Sequence, residues 1–288
     1  MEKRKIPASE LIINADGSIY HLHLKPEDLA SLVFTVGDPD RVELVSRYFD
    51  RIDVKINKRE FITHTGWLNG KRVTAMSTGM GTDNIEILMT ELDALVNVDL
   101  QTRGERDEKT ALQIIRLGTS GSMQADIPVG TMLASEIGVG LDTLMQFYPE
   151  LPESQFIGTA IQEELGLGFQ PYQASASTLL LDKLDNRFLK GITLTCPGFY
   201  APQGREVRLR PRFDKMVERI AGIKLQGDQR ITNFEMETAG YYGLGKLLGH
   251  EMLSLNAIIA NRPNKEFDQN AEKTVDSLIQ TALELFVS

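Results

Sequence analysis

Apolar residues along the chain fall into short runs that alternate with longer stretches of helical spacing. Leu32-Val33-Phe34-Thr35-Val36 is such a run, closed by Gly37-Asp38-Pro39, and Asp40 to Phe49 then sets Val42, Val45 and Phe49 on one helical face. The pattern predicts strand, turn, helix. Glu60 to Leu68 and Arg72 to Ser77 flank Asn69-Gly70, a dipeptide that favours positive φ at both central turn positions, and predict a hairpin. After Gly79-Met80-Gly81, Asp83 to Val98 spaces Ile87, Leu88, Glu91, Leu92 and Leu95 as one helix face. Gln101 to Lys109 is charged and predicts an exposed insertion.

Gln113 to Leu117 predicts a buried strand that ends in a glycine turn, Gly118-Thr119-Ser120-Gly121, and Gly130 to Ile137 a further strand. Gly138 to Gly168 is irregular, Ser175 to Leu184 helical and Ile192 to Thr195 extended. Farther on, Arg208 to Ile220 predicts a helix, Asn233 to Glu237 a strand, Thr238 to Leu248 a helix, Leu253 to Ala260 a buried strand and Glu266 to Phe286 a terminal helix. Alternating elements of this kind imply a three-layer α/β fold around a parallel or mixed sheet, with residues 1–288 as one domain.

Charge and composition narrow the partners. With 31 Lys and Arg against 40 Asp and Glu the formal charge is −9, unsuited to nucleic-acid phosphates or anionic lipid. Small molecules become the expected ligands. One cysteine, Cys196, excludes an internal disulfide, and His21, His23, His64 and His250 form no zinc-spaced cluster, so no metal is expected. No apolar run reaches the roughly 18 residues of a membrane span, and the amino-terminal ten residues have no apolar signal core, so a soluble, cytoplasmic chain is expected.

Two motifs point away from their nearest chemistries. Gly240-Tyr241-Tyr242-Gly243-Leu244-Gly245-Lys246 has Walker-type spacing, but Leu247 replaces the magnesium-binding hydroxyl and the segment is helical; close helix packing is the better reading. Gly118-Thr119-Ser120-Gly121-Ser122 lacks the second glycine of a nucleophile elbow.

Four others suit an anion, a diol and a flat ring. Gly37-Asp38-Pro39-Asp40-Arg41 joins strand to helix, where main-chain N–H groups and Arg41 suit a phosphate, although a salt-bridged turn has the same appearance. Arg116 next to the end of an apolar strand needs an anion, from a ligand or an acidic neighbour, while Gly118 admits a close approach and Thr119 supplies a hydroxyl. Arg59 is a third cation, in isolation a solvated surface residue. In Asn233-Phe234-Glu235-Met236-Glu237, period two puts both carboxylates on one face, either as a ribose-diol acceptor or as an outer edge facing water. Phe199 to Arg205 combines aromatics with Gln203 and Arg205, a set that stacks a ring and reads its edge, or else an exposed loop.

Taken in order, GDPDR at 37–41, REF at 59–61, STGMG at 77–81, RLGTSG at 116–121, FYAPQGR at 199–205 and NFEME at 233–237 resemble the nucleoside phosphorylases, and more narrowly the uridine phosphorylases. The resemblance spans Tyr20 to Arg262 and implies an α/β/α fold with a mixed, partly barrelled sheet, and phosphate-dependent cleavage of an N-glycosidic bond. It places phosphate on Gly37, Arg41, Arg116, Gly118 and Thr119, with Arg59 arriving from a neighbouring subunit. Ribose would meet Glu235, Met236, Glu237 and the neighbour's His21. Phe199, Gln203, Arg205 and Arg262 would surround the base, and Arg116, Gln203 and Arg205 would carry the catalysis. The implied assembly is a homo-oligomer, at least a dimer and in some relatives a hexamer. Inorganic phosphate is a co-substrate, and no cofactor is implied. Thr82-Asp83-Asn84 departs from the Gly-Pro that usually follows this glycine turn in bacterial relatives. Purine-nucleoside phosphorylases share the phosphate and ribose residues, so a uridine substrate rests on Gln203 and Arg205. The other readings are a purine or broad-range phosphorylase, a phosphate-independent nucleosidase, which the arginines disfavour, and a non-catalytic nucleoside-binding protein.

Overall fold

A computed structural model describes residues 5–227 and 229–287. The chain alternates strands and helices as β1 (Leu32–Val36), α1 (Arg41–Ser46), β2 (Arg51–Lys58), β3 (Phe61–Leu68), β4 (Lys71–Ser77), α2 (Thr82–Asn97), β5 (Val98–Asp99) and β6 (Gly104–Glu105). It continues with β7 (Gln113–Ser122), β8 (Met132–Gly140), α3 (Phe156–Leu165), β9 (Tyr172–Ser175), α4 (Thr178–Leu181) and β10 (Phe188–Thr195). Last come α5 (Met216–Ala221), β11 (Ile231–Glu235), α6 (Thr238–Leu248), β12 (Glu251–Asn261), β13 (Glu266–Phe267) and α7 (Ala271–Val287).

One mixed sheet organises these elements, and β7 is its hinge. The first residues of β7, Gln113 to Arg116, pair in parallel with β1, which leads to β4, β3 and β2 as an open wing. Its last residues, Gly121 and Ser122, pair with β11 instead. Along its whole length β7 also pairs with β12, from Gln113 opposite Glu251 to Ser122 opposite Asn261, and the ring β7–β12–β8–β10–β11 closes into a five-stranded barrel. Closure removes the exposed edges that strands of this length would otherwise present. The expected α/β fold with a partly barrelled mixed sheet is what forms. No helix among the described residues is long and apolar enough to cross a membrane.

Local sequence explains most elements. Asn69 and Gly70 both take positive φ, 50° and 76°, which gives the β3–β4 hairpin the twist its strands need. The glycines of α6 pack it closely, as expected of small residues on a helix: a Cβ on Gly243 would lie 2.9 Å from the Met145 sulfur and one on Gly245 2.3 Å from Met252. No phosphate loop forms there.

Several expectations are corrected. The strand begun at Gln113 does not stop at Gly118; it runs on through Gly121 to Ser122, because those residues pair with β12 and β11. No element is expected over β2, in which Ile52, Val54 and Ile56 alternate with exposed polar residues along the outer edge of the wing. The stretch expected to be irregular contains helix α3, strand β9 follows it, and the helix expected over Ser175 to Leu184 shrinks to α4, capped by the Ser177 hydroxyl on the Leu180 N–H. The helix expected from Arg208 forms only over Met216–Ala221, since Pro211 interrupts it and Val207 and Leu209 stay exposed. The first helix spans only Arg41–Ser46, and Glu266-Phe267 form β13 ahead of α7. Gln101 to Lys109 is largely exposed, with β5 and β6 pairing at its root.

Candidate functional site

A cavity of about 890 Å³ opens at the carboxyl ends of β1, β7, β11 and β12. Ligand sites of α/β sheets favour this edge because helix N-termini and freed main-chain groups converge there. Twelve of the fourteen residues expected in the site line it: Gly37, Arg41, Arg116, Gly118, Thr119, Phe199, Gln203, Arg205, Glu235, Met236, Glu237 and Arg262.

Arg116 is the centre of one group. It projects from β7 into a buried position, where Nη2 lies 2.5 Å from Glu237 Oε2 and 3.0 Å from Glu235 Oε2. Nη1 donates to Asn256 Oδ1 at 3.0 Å and to Ser254 Oγ at 3.4 Å. Burial opposes the charge, but the two carboxylates outweigh it and raise the guanidinium pKa. The acidic-neighbour reading of Arg116 is therefore realised in the same place as its cavity-lining position. Gly118 sits two residues on and on the same face, where a Cβ would lie 1.8 Å from Arg116 Nη1. What requires glycine there is the folded arginine, rather than a ligand alone.

The two carboxylates differ in their surroundings. Glu235 accepts from the Thr195 hydroxyl at 2.7 Å and from the main-chain N–H groups of Glu237 and Thr238, both 2.9 Å from Oε2. It thus caps the start of α6. Glu237 lies past the end of β11, at the N-cap of α6, so period two does not place it. Its Oε1 accepts from the Gly81 N–H at 2.8 Å, and Gly81, with φ 97°, is itself the N-cap of α2. Burial pushes the Glu237 carboxyl up, with Arg116 opposing and Glu235 adding to the shift. Both carboxylates are buried, which rules out the outer-edge reading.

Arg41, the first residue of α1, donates to the Leu117 carbonyl at 3.3 Å. Burial lowers its pKa, and its charged neighbours are Asp38, Arg116 and Glu237. The β1 end passes the glycine turn closely, with the Gly37 Cβ position 3.5 Å from the Gly79 carbonyl. Asp83 falls in the first turn of α2, where the helix dipole favours an acid.

A second group surrounds Phe199. The Arg205 guanidinium stacks on that ring at 3.7 Å and donates through Nη1 to the Phe199 carbonyl and to Gln203 Oε1, each at 2.6 Å. Arg262 donates to the Gln203 carbonyl at 2.9 Å and lies 5.5 Å from the Phe234 ring. Burial, then the proximity of Arg262, brings the Arg205 pKa down to about 10, and burial lowers that of Arg262. Arg205 stays cationic at neutral pH, so this part of the cavity favours a ligand that gains negative charge.

His21 and Arg59 do not reach the cavity. They gather elsewhere, around Tyr20: the Arg59 guanidinium lies 5.8 Å from the Tyr20 ring, which meets the His21 imidazole edge-on at 4.7 Å. His21 Nδ1 sits 2.6 Å from Glu91 Oε1 on α2. Sequence reasoning missed Asn256 and Ser254, hidden in an apolar strand, and Phe234 and Lys265, which line the cavity. Alternation of Ser254 and Asn256 within β12 was the only available signal.

Fold and cavity together define an α/β barrel protein whose strand ends set guanidiniums and carboxylates beside an aromatic-and-amide loop. The chain belongs to the phosphorylase superfamily, whose family model matches residues 31–287. It is 28% identical to the uridine phosphorylase of Thermococcus kodakarensis over 286 residues, covering 98% of this chain and 91% of the relative. Identity to the Escherichia coli uridine phosphorylase is also 28%, over 88% of this chain and 90% of that one. Among solved structures, a Trypanosoma brucei nucleoside phosphorylase described as showing uridine phosphorylase activity superposes with a TM-score of 0.85 at 28% identity, over 96% of this chain and 100% of that one.

Proposed function

We propose that the protein is a uridine phosphorylase of pyrimidine salvage in the cytoplasm, converting uridine and inorganic phosphate to uracil and ribose 1-phosphate. The observation that carries this reading is the shared cavity: the hydrogen-bonded Gln203–Arg205 pair, with Arg205 stacked on Phe199, and the Arg41–Arg116 group line the same space. Relatives with this activity at 28% identity over nearly the whole chain support it.

In this reading phosphate occupies the Gly37, Arg41, Arg116, Gly118 and Thr119 wall, Met236 and Glu237 meet the ribose hydroxyls with Glu235 behind them, and Phe199 and Arg262 flank the base. As the base departs, positive charge grows on the sugar and a phosphate dianion on its opposite face stabilises it. Uracil leaves as an anion, and the cationic Arg205 meets the charge on its carbonyl oxygen without a separate general acid. No resident cofactor or metal takes part. His21 and Arg59 complete the cavity of a neighbouring subunit, so the working unit is at least a dimer and reaches a hexamer in some relatives. Their clustering outside their own chain's cavity supports this.

The test is base release from uridine, thymidine, inosine and adenosine, with and without phosphate, followed by ultraviolet absorbance. Phosphate-dependent release of uracil is expected. Release without phosphate would indicate a nucleosidase, release from purine nucleosides alone a purine phosphorylase, and no release a binding protein.

A further inference from the structure

The charges around Arg116 do not suit a dianion as they stand. One guanidinium contacts two carboxylates, at 2.5 Å and 3.0 Å, so with both acids ionised the buried trio carries one net negative charge. Bringing an oxyanion alongside would set like charges together in a poorly solvated space. We propose that an inorganic oxyanion enters this cavity together with one proton, and that Glu237 is the group that takes it up. This inference rests on the reading that the anion sits beside Arg116.

Hydrogen bonding selects Glu237 over Glu235. Every contact of Glu235 is with a donor: the Thr195 hydroxyl, the Glu237 and Thr238 N–H groups and Arg116. Each of its oxygens faces at least two of these donors, so neither keeps a free lone pair for a proton. Among the described residues Glu237 has one donor on each oxygen, the Gly81 N–H and Arg116, which leaves a lone pair on each, and its carboxyl lines the cavity. A protonated carboxyl there donates a hydrogen bond, whereas an ionised one repels the anion. The charged and titratable groups facing Glu237 are Arg116 from β7, Glu235 from β11, Tyr241 from its own helix and Arg41 from α1, with Asp38 beside Arg41. Asp38 adds another negative charge on the Arg41 side. Burial and the neighbouring Glu235 already push Glu237 toward its protonated form, and a bound dianion pushes it further.

Sulfate is the probe, because it stays a dianion throughout the neutral range and brings no proton of its own. The intact protein is titrated with sodium sulfate by calorimetry in two phosphate-free buffers of different ionisation heat. Expected is uptake of about half to one proton per sulfate near neutral pH, with affinity rising up to about tenfold per pH unit on acidification. Glu237→Gln removes the uptake and flattens the pH dependence. Sulfate that binds with no buffer dependence, or uptake that persists in Glu237→Gln, overturns the inference. Should that variant fail to fold, a flat wild-type affinity between mildly acidic and mildly alkaline pH overturns it alone. Phosphate-dependent uracil release alongside proton-neutral sulfate binding leaves the phosphorylase reading standing while this inference falls; no sulfate binding at all removes the anion site from both.

Discussion

Gly118→Ala isolates the demand that Arg116 places on its own strand. Gly118 lies in extended β7 with no positive φ, so alanine meets no backbone strain there, and its effect comes from contact alone. The new Cβ would lie 1.8 Å from Nη1, 2.5 Å from Cζ and 2.8 Å from Nη2. Normal contact demands that the guanidinium retreat by about 1.5 Å, given ordinary carbon–nitrogen separations near 3.5 Å. That retreat lengthens or breaks the bonds to Glu237, Glu235 and Asn256. Losing a buried charged contact costs about 3 kcal/mol, offset by roughly 0.5 kcal/mol from the stiffer unfolded chain. The expected net loss of about 2.5 kcal/mol lowers Tm by about 5 °C in a chain of this size. Displacing a positioning group by more than an ångström also costs about a hundredfold in kcat/KM for phosphate. Thermal denaturation and uracil release at varied phosphate measure the two effects. A variant with wild-type Tm and wild-type phosphate dependence would show that Arg116 is not held where its contacts indicate.

Arg205→Ala removes the cation stacked on Phe199 and should lower kcat/KM for uridine by about ten to a hundredfold, with far-ultraviolet circular dichroism unchanged; full activity would undo the uracil assignment. Asn256→Leu leaves buried Arg116 Nη1 with the long Ser254 contact in place of its amide, so Tm should fall by a few degrees, corresponding to about 1–3 kcal/mol, and phosphate KM should rise more than uridine KM. Cys196 is fully buried and its thiol is pushed up by burial, so Ellman's reagent should label it only on unfolding; rapid labelling of the native protein would contradict its placement.

The parts of this molecule that sequence revealed are those governed by neighbours in the chain. Asn69-Gly70 dictates its hairpin locally, and the spacing of Leu88, Leu92 and Leu95 dictates α2. What escaped depends on distant segments. Gly118 to Gly121 has the composition of a turn, yet becomes strand because residues some 140 positions away supply its hydrogen bonds. The exposed alternation of Val207 and Leu209 belongs to no helix, and nothing in that stretch announces that only the segment after Lys215 finds a surface to pack on. The site motifs were legible one by one, each with a bland alternative; for Arg116 the acidic neighbours are the partners that form, and they are themselves cavity residues. Asn256 was illegible because a polar residue pointing into a barrel interior is indistinguishable, in one dimension, from one pointing at water.

Closure of the barrel by β12 has a temporal consequence. Strand β7 is synthesised well before its partner, and until Glu251 to Asn261 emerge, Arg116 has neither Asn256 nor Ser254 to hold it. A nascent chain on the ribosome can form the wing of β1 to β4 early, but the half that assembles the cavity waits for nearly the last tenth of translation. Truncations before β12 should therefore accumulate as chaperone clients rather than as weakened copies of the finished molecule.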